Sequence, residues 1–274
     1  MRQNLYKKGV SVVIPVYNRK EKLLKAVDSV VTNYPDQAEI IVVDDDSECY
    51  PGDYLPKKNA SDVKIRCYKN FKNSGPQVAR NMGIRRASFE YVAFLDSDDL
   101  FFSSKIDWLL AIIASEDFDL LYHGVLGCDK YNIISSKWHN SIGRFIHFKW
   151  FICLLNPCVT PSVVIKRKIK LFNPSLRYAE DYAFILSYID GTTKVKYYSE
   201  IQTEVPRTIG SQGGISANLI KMRIGEFKGK KNILRRKEWD RYLAYTLSFL
   251  AGSARVLHDL MKKRYTLKEF IKQW

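Results

Sequence analysis

The sequence lacks cysteine pairs and long apolar runs, and each absence excludes a class of protein. Its 274 residues include five cysteines, and none forms a CxxC pair or stands near a histidine with zinc-ligand spacing. This pattern argues against both a disulfide framework and a structural zinc site. No run reaches the roughly 18 apolar residues that cross a bilayer, and the start, MRQNLYKKGV, lacks the apolar stretch of a secretion signal. We therefore expect reduced thiols in a cytoplasmic protein without a membrane-spanning segment.

Acidic residues are scarce relative to basic ones, and the imbalance is concentrated at one end. The chain has 44 Lys or Arg and 29 Asp or Glu, a net charge of +15. Residues 221–274 contain fifteen basic and five acidic residues, so they carry +10 of that total. A basic segment of this kind favours an anionic surface, either a membrane or nucleic acid, unless it serves only solubility.

Apolar residues make up 46% of the chain, enough for one large core. Apolar runs alternate with amphipathic segments, an order typical of an α/β protein with a mostly parallel sheet flanked by helices. We predict such a domain over residues 1–211, dividing near residue 100, and a basic helical region over residues 212–274. The predicted strands cover residues 10–15, 39–44, 63–69, 91–95, 118–127, 131–136, 162–166 and 195–198. The predicted helices cover residues 23–34, 76–87, 106–113, 148–155 and 179–188, with one long amphipathic helix over residues 239–261.

The segment 90-EYVAFLDSDDLF-101 places three carboxylates within four residues, where a predicted strand ends. Charges a few Å apart repel by roughly 1 kcal/mol or more per pair even in water. We therefore expect Asp96, Asp98 and Asp99 to hold a cation or to orient hydroxyl groups. Asp98 is the natural ligand for Mn²⁺ or Mg²⁺, which would bridge a diphosphate. A simpler role for one acid, Asp99, is to cap the following helix, for which Ser103 is the other candidate.

Four predicted strand ends carry polar or aromatic residues toward one crevice, because the carboxyl ends of parallel strands meet at the same edge of a sheet. These segments are 14-IPVYNR-19, 44-DDDS-47, 73-NSGPQVARN-81 and 96-DSDD-99. Together they suit a nucleotide-sugar. Tyr17 offers an aromatic face to a base, Asp44 and Asp45 can accept an N–H from a pyrimidine edge, and Arg80 supplies a cation. Asp96 can accept hydrogen bonds from ribose hydroxyls.

Each of these elements also has a simpler interpretation. Tyr17 is compatible with a core position, and residues 44–46 with a solvated turn or a cap. Glu180 and Asp181 would be ordinary acids in the first turn of a helix, where the helix dipole favours them. Arg207 lies in a glycine-rich loop, where it is as compatible with surface charge as with phosphate binding.

The motifs resemble those of the family 2 glycosyltransferases, which have the GT-A fold. VSVVIPVYNR resembles the opening strand of that family, and IIVVDDDS resembles its nucleotide loop, with Asp46 where glycine is usual. NSGPQVARNMGI is similar to the NxGxxxARNxGI helix, and FLDSDD to the metal-binding DxD motif. The resemblance covers residues 10–125 and returns at 179-AEDYAF-184, which is similar to the ED motif that holds the catalytic base.

This resemblance implies an inverting, metal-dependent transfer of one sugar from a UDP-sugar to a saccharide or lipid-linked acceptor, in surface polysaccharide synthesis. Residues 1–100 would bind the nucleotide and residues 101–211 the acceptor. Asp181 would be the base, with Glu180 beside it, and Asp98 would bind Mn²⁺ or Mg²⁺. The predicted donor-binding residues are Pro15, Val16, Tyr17, Arg19, Asp44, Asp45, Gly75, Arg80, Asp96, Ser97 and Arg207. The chain lacks the QxxRW motif of the processive synthases of this family.

Two other classes are weighed against this one. A GT-A-like nucleotidyltransferase would carry a glycine-rich loop after the first strand, where PVYNRKEK stands instead. A nucleic-acid-binding protein would explain the net charge, but the predicted site is acidic and repels phosphate unless a metal intervenes. We therefore expect no nucleic acid partner.

The basic tail is expected to approach the anionic inner face of the cytoplasmic membrane, or else to pack on the domain or on a second copy in a homodimer. Its predicted lipid contacts are Lys230, Lys231, Arg235, Arg236 and Lys237.

Overall fold

Successive side chains of a β-strand point to opposite faces of its sheet, and runs such as 38-AEIIVVD-44 and 89-FEYVAF-94 are buried on both faces. The computed structural model describes residues 6–141, 147–168, 170–206, 218–234, 240–262 and 264–274. Within these ranges the strands are β1 (Lys7–Val16), β2 (Ala38–Asp44), β3 (Lys64–Lys69), β4 (Phe89–Phe94), β5 (Leu100–Phe101), β6 (Leu120–Leu126), β7 (Val164–Lys166) and β8 (Val195–Glu204). They form an eight-stranded sheet in the order β3-β2-β1-β4-β7-β6-β8-β5.

The first half of the sheet is parallel. β1 pairs in parallel with β2 and β4, and β2 with β3, so Val16 lies beside Asp44 at the carboxyl edge. β7 runs antiparallel to β4 and β6, whereas β8 is parallel to β6. The predicted mostly parallel mixed sheet is therefore confirmed, and its parallel half opens at the edge where the site was expected.

Helices cover both faces of the sheet. They are α1 (Lys20–Asp28), α2 (Pro76–Arg86), α3 (Lys105–Ser115), α4 (Asp129–Asn140), α5 (Phe148–Leu154), α6 (Glu180–Tyr188), α7 (Leu219–Leu234), α8 (Arg241–Met261) and α9 (Leu267–Gln273). Val12 packs with α1 and α3 on one face, and its neighbour Val13 packs with α2 and α6 on the other. At Gly83, a Cβ atom would lie 2.3 Å from Val13 Cγ1, so only glycine lets α2 approach β1 this closely.

The C-terminal helices pack against the rest of the protein. On α7, a Cβ atom at Gly225 would lie 2.1 Å from the Tyr178 carbonyl oxygen, and one at Gly229 would lie 2.7 Å from Ala183 Cβ. These two glycines let α7 lie directly on α6, and α8 in turn packs on α7 and α5. The prediction that the C-terminal region is helical is confirmed for its described residues. Residues 207–217 and 235–239, including the predicted helix start at Trp239, lie outside the described ranges.

The first helix is shorter than predicted. The sequence pattern extends it to Tyr34, but α1 ends at Asp28. Asp107 of α3 accepts hydrogen bonds from Thr32 Oγ1 and from the Asn33 backbone N–H, which turns the chain away from the helix axis. This tertiary contact outweighs the local apolar spacing.

The segment 131–136 was predicted as a strand and lies instead within α4. Ser135 and Trp138, three positions apart on one side of α4, are buried. Ile133, on another side of the helix, is 54% exposed. Ile133 and Ile134 thus belong to a helix that is buried on one side and exposed on the other. The strand was predicted wrongly because a short apolar run fits the periodicity of a strand as well as that of a helix.

One predicted lipid contact is also wrong. Lys230 is fully buried, and its Nζ donates to the Ser248 carbonyl oxygen of α8 at 2.6 Å. A lysine sealed between α7 and α8 cannot reach a membrane. Lys231 is exposed, and the predicted contacts 235–237 lie outside the described residues. Among the described helices, none combines the length and the apolar composition that crossing a membrane requires.

Candidate active site

A cavity of about 590 Å³ opens at the carboxyl ends of β1 and β4 and reaches α4, α6, α7 and α8. Of the fourteen residues predicted to bind the donor or the metal or to act in catalysis, twelve line it: Pro15, Val16, Tyr17, Arg19, Asp45, Gly75, Arg80, Asp96, Ser97, Asp98, Glu180 and Asp181. Asp44 does not line it, because its carboxylate is fully buried and accepts the Ser47 backbone N–H at 3.1 Å. Arg207 lies outside the described residues.

The loop after β2 is organised by Asp45. Its Oδ1 accepts the Asn70 side-chain amide and the Ser74 backbone N–H, and its Oδ2 accepts the Gly75 backbone N–H at 2.7 Å. These bonds fix the segment that leads into α2. The next residue, Asp46, has a φ of 72°, the left-handed conformation in which glycine is least strained. Asp46 thus adopts the backbone that the usual glycine would take, at some cost.

Arg80 connects two of the predicted motifs. Its Nη2 donates to Asp96 Oδ1 at 2.6 Å and its Nη1 to Glu180 Oε1 at 3.0 Å, while only 4% of its side chain is exposed. Burial alone would lower the pKa of Arg80, but the charges of Asp96 and Glu180 raise it above its ordinary value. The guanidinium therefore stays charged and holds the end of β4 against the start of α6.

The acidic loop after β4 brings the carboxylates of Asp96, Asp98 and Asp99 close together. Asp98 Oδ2 accepts from Arg19 Nη1 at 2.7 Å, and Lys22 Nζ lies 4.0 Å from the same oxygen. Burial, together with the charges of Asp96 and Asp98, raises the pKa of Asp99 to about 8.

The acidic loop offers Asp98 as a ligand for a divalent metal. No group of three His, Cys, Asp or Glu side chains is arranged to hold a metal ion within the described ranges. Mg²⁺ and similar ions, however, are usually held by one or two carboxylates together with substrate phosphates and water. Asp98 lines the cavity with 14% of its side chain exposed, and its hard oxygen atoms fit such an ion.

Glu180 and Asp181 begin α6 and differ in their partners. Glu180 is paired with Arg80, whereas Asp181 Oδ1 accepts its neighbouring Tyr182 backbone N–H at 2.7 Å and Oδ2 accepts Thr160 Oγ1 at 3.4 Å. Burial and the charge of Asp181 raise the pKa of Glu180 to about 7, and burial raises the pKa of Asp181 as well. Among the described residues, Asp181 makes no ion pair, so its carboxylate is the one available to a ligand.

Several residues that line the cavity belong to no sequence motif and were not predicted. They come from α4, α7, α8 and the segment after α5: Lys130, Tyr131, Asn156, Met222, Arg223, Glu226 and Arg255. The sequence does show Arg223 and Glu226 three residues apart, a spacing that allows an ion pair on one side of a helix. Such pairs are common on exposed helices, so this spacing does not indicate a site.

Comparisons with known proteins agree with the motifs. Residues 11–168 match the family model described as Glycosyl transferase family 2. An uncharacterized glycosyltransferase of Rickettsia felis is 41% identical over 117 residues, which are 43% of this chain and 19% of that protein. This chain therefore matches about a fifth of that relative's length. TuaG of Bacillus subtilis, named for teichuronic acid biosynthesis, is 29% identical over 191 residues, which are 67% of this chain and 73% of TuaG.

Solved structures share the fold. S. aureus TarS 1-349 in complex with UDP-GlcNAc superposes with a TM-score of 0.70 at 17% identity, covering 95% of this chain and 77% of that one. The mannosyltransferase PcManGT of Pyrobaculum calidifontis, in complex with GDP-Man and Mn²⁺, gives a TM-score of 0.61 at 14% identity, covering 98% and 84%. At these identities the likeness establishes the architecture.

Proposed function

The chain belongs to glycosyl transferase family 2, and from this premise we propose that it transfers one sugar from a UDP-sugar to a saccharide or lipid-linked acceptor. The observation that carries the proposal is the convergence of Tyr17, Asp98 and Asp181, from three distant parts of the chain, on one cavity of about 590 Å³. That volume lies within the range of small-molecule sites. The UDP-GlcNAc complex of the similarly folded TarS supports a uridine nucleotide as the donor.

We propose that the base of the donor stacks on Tyr17, whose side chain is 47% exposed at the end of β1. Asp45 then acts mainly by shaping the loop through its bonds to Ser74 and Gly75. Arg19 is placed to meet the diphosphate, since its guanidinium reaches the acidic loop at Asp98. Arg80 supports this end indirectly, because only 4% of its side chain is exposed and it already donates to two carboxylates.

Asp98 is the proposed ligand of Mn²⁺ or Mg²⁺. A divalent ion there would neutralise charge on the diphosphate leaving group. Arg19 and Lys22, which lie 2.7 and 4.0 Å from Asp98 Oδ2, place two further cations at this end of the cavity. The Mn²⁺ complex of the similarly folded PcManGT supports this assignment.

Asp181 is the proposed general base. Among the described residues its Oδ2 has only the long 3.4 Å contact with Thr160, so it can accept the proton of an acceptor hydroxyl as that oxygen attacks the anomeric carbon. Glu180 holds Arg80 and is not free for the same task. A single displacement of this kind inverts the configuration of the transferred sugar.

We further propose that the reaction serves surface polysaccharide synthesis, an assignment that the name of the relative TuaG supports. The outer side of α8 is apolar along its length, with exposed Tyr242, Leu243, Leu247, Phe249, Leu250 and Leu257. At 100° per residue, these side chains cover a broad arc of the helix surface. The arc is wider than the narrow apolar seam of a coiled coil, so it suits a flat surface better than a single partner helix. Exposed Lys262, Lys268 and Lys272 follow these residues in the sequence, at the end of α8 and on α9. We therefore propose that α8 and α9 rest on an anionic membrane surface.

The experiment that tests the proposed activity is a screen of the purified full chain with Mn²⁺ against a panel of UDP-, GDP- and dTDP-sugars. Slow hydrolysis of one sugar nucleotide is expected, with release of the nucleoside diphosphate. Release of the monophosphate and a sugar phosphate, or of none of these products from any donor, would contradict the proposal.

A further inference from the structure

We propose that the end of the cavity formed by α4, α7 and α8 binds an anionic group on the acceptor, a phosphate or a carboxylate borne by a saccharide. This inference rests on the proposed glycosyl transfer, because it concerns the second substrate of that site. It names the chemical class of that substrate, which no sequence motif indicates.

The first observation is that the charge of the cavity wall is divided. The ionisable residues from the strand ends and the start of α6 are mostly acidic: Asp45, Asp96, Asp98, Asp99, Glu180 and Asp181, with Arg19 and Arg80. Those from α4, α7 and α8 are mostly basic: Lys130, Arg223 and Arg255, with Glu226 as their acid. Arg177, before α6, adds a further exposed cation to the wall. A metal and a donor diphosphate account for the acidic end, but they leave the basic end without a function.

The second observation is that the two arginines are held in place. Glu226 accepts from Arg223 Nη1 at 2.6 Å and from Arg255 Nη2 at 3.1 Å, so one carboxylate lies between two guanidinium groups. Arg223 Nε also donates to Asp259 at 2.8 Å, and Arg255 Nη1 donates to the Leu154 carbonyl oxygen at 2.6 Å. Fixed guanidinium groups lose little conformational freedom when they bind an oxyanion, which favours phosphate or carboxylate recognition.

The third observation concerns Lys130, at the start of α4. Its side chain is exposed and lines the cavity, and no acid forms an ion pair with it among the described residues. Nearby on the wall, burial raises the pKa of Tyr131 to about 12, so its hydroxyl stays protonated and can donate a hydrogen bond. Lys130 adds a mobile charge beside this network, in which the three arginines Arg223, Arg255 and Arg264 outnumber the two acids Glu226 and Asp259 by one. Together they suit an anion better than a neutral sugar.

The test uses the full chain, freed of metal on a chelating resin, so that the acidic end of the cavity attracts no anion. Binding of glucose 6-phosphate, glucuronate and glucose is measured by ligand-observed NMR at constant ionic strength. We expect the two anionic sugars to bind about tenfold more tightly than glucose. Whichever of the two anionic sugars binds more tightly shows whether this part of the cavity prefers a phosphate or a carboxylate. Equal binding of all three sugars, including no measurable binding of any, would overturn the inference.

Lys130→Glu and Lys137→Glu form a matched pair, because both lysines are exposed on α4 but only Lys130 lines the cavity. Lys130→Glu should abolish the preference for the anionic sugars, and Lys137→Glu should keep it. Loss of the preference in both variants would mean that overall charge, and not this wall, is responsible. UDP binding with Mn²⁺ is measured separately on the unmodified protein: its absence would refute the proposed function, whereas its presence with no anion preference would refute only this inference.

Discussion

Arg80 and Glu180, a hundred positions apart in the chain, form a buried ion pair with an Nη1 to Oε1 distance of 3.0 Å. The other nitrogen of the same guanidinium binds Asp96 at 2.6 Å. One side chain thus sets the position of the acidic loop after β4 relative to the start of α6. It also distinguishes Glu180, which is engaged, from Asp181, whose carboxylate is available to the cavity.

The Arg80 bridge is expected to contribute strongly to stability. Arg80→Gln removes the cation and leaves the buried carboxylate of Glu180 and the partly exposed carboxylate of Asp96 without their partner, which should lower the free energy of unfolding by about 3–5 kcal/mol. Urea denaturation followed by circular dichroism measures the change. Arg85→Gln, on the exposed side of the same helix, is the control and should stay within about 0.5 kcal/mol. Similar losses in the two variants would show that the bridge is unimportant.

Stability should also depend on pH through Glu180. Its pKa is raised from 4.5 to about 7 by burial and by Asp181, despite the opposing charge of Arg80. Because the folded protein then holds this proton more tightly than the unfolded chain, the contribution of Glu180 is greatest below pH 4.5 and declines as the pH rises to about 7. A tenfold difference in proton affinity between the folded and unfolded states corresponds to about 1.4 kcal/mol of stability.

The measurement is the difference in unfolding free energy between the native protein and Glu180→Gln, taken at intervals from pH 5 to pH 8. Gln cannot titrate, so the difference between the two proteins reports the proton that Glu180 binds, together with the effect of its charge on Asp181. The native protein should lose stability relative to the variant as the pH rises. A constant difference over this range would contradict the expectation.

Asp181→Asn should lower kcat by roughly 10²–10⁴-fold, because the base acts in the transition state, and should change UDP affinity little. The rate of sugar transfer and UDP calorimetry give the two quantities. If the Asn variant kept a near-normal kcat while Glu180→Gln were inactive, Glu180 would be the base. A product that retains the anomeric configuration of the donor would refute the single displacement.

The apolar side of α8 should carry the membrane contact. The full chain is expected to sediment with vesicles that contain phosphatidylglycerol, and less so as salt screens the lysines. Leu250→Glu, at a position 58% exposed, should weaken sedimentation, whereas Ile133→Glu, 54% exposed on α4, should not. Equal binding to neutral vesicles would exclude an electrostatic contribution. A dimer that Leu250→Glu converts to monomer would assign this face to a second copy of the chain.

The parallel half of the fold could be predicted from the sequence because its signals are local. β1, β2 and β4 are short apolar runs that end in polar loops, and Pro76 marks the start of α2. The convergence of twelve predicted residues on one cavity follows from that topology, since parallel strands open at one edge.

The remaining features depend on contacts between distant parts of the chain, which a single sequence does not reveal. Arg80 meets Glu180 because α2 and α6 share one core on the same face of the sheet, and Lys230 is buried because α8 packs on α7, where its Nζ donates to the Ser248 carbonyl oxygen. The basic wall of the cavity is likewise assembled from three helices in different segments. A strand was wrongly predicted over residues 131–136 because a short apolar run fits the periodicity of a strand and that of a helix equally well.

The most direct test of the account is calorimetric titration of UDP into the protein with and without Mn²⁺, for the native chain and for Asp98→Asn. This substitution removes an anionic ligand without changing the size of the side chain, and Asp36→Asn, at an exposed position outside the cavity, is its control. We predict that the native chain and Asp36→Asn bind UDP and need Mn²⁺ to do so, and that Asp98→Asn binds it at least about tenfold more weakly. Binding of UDP that is equally tight without metal, or unchanged in Asp98→Asn, would contradict the assignment of Asp98 and of a metal-dependent donor site.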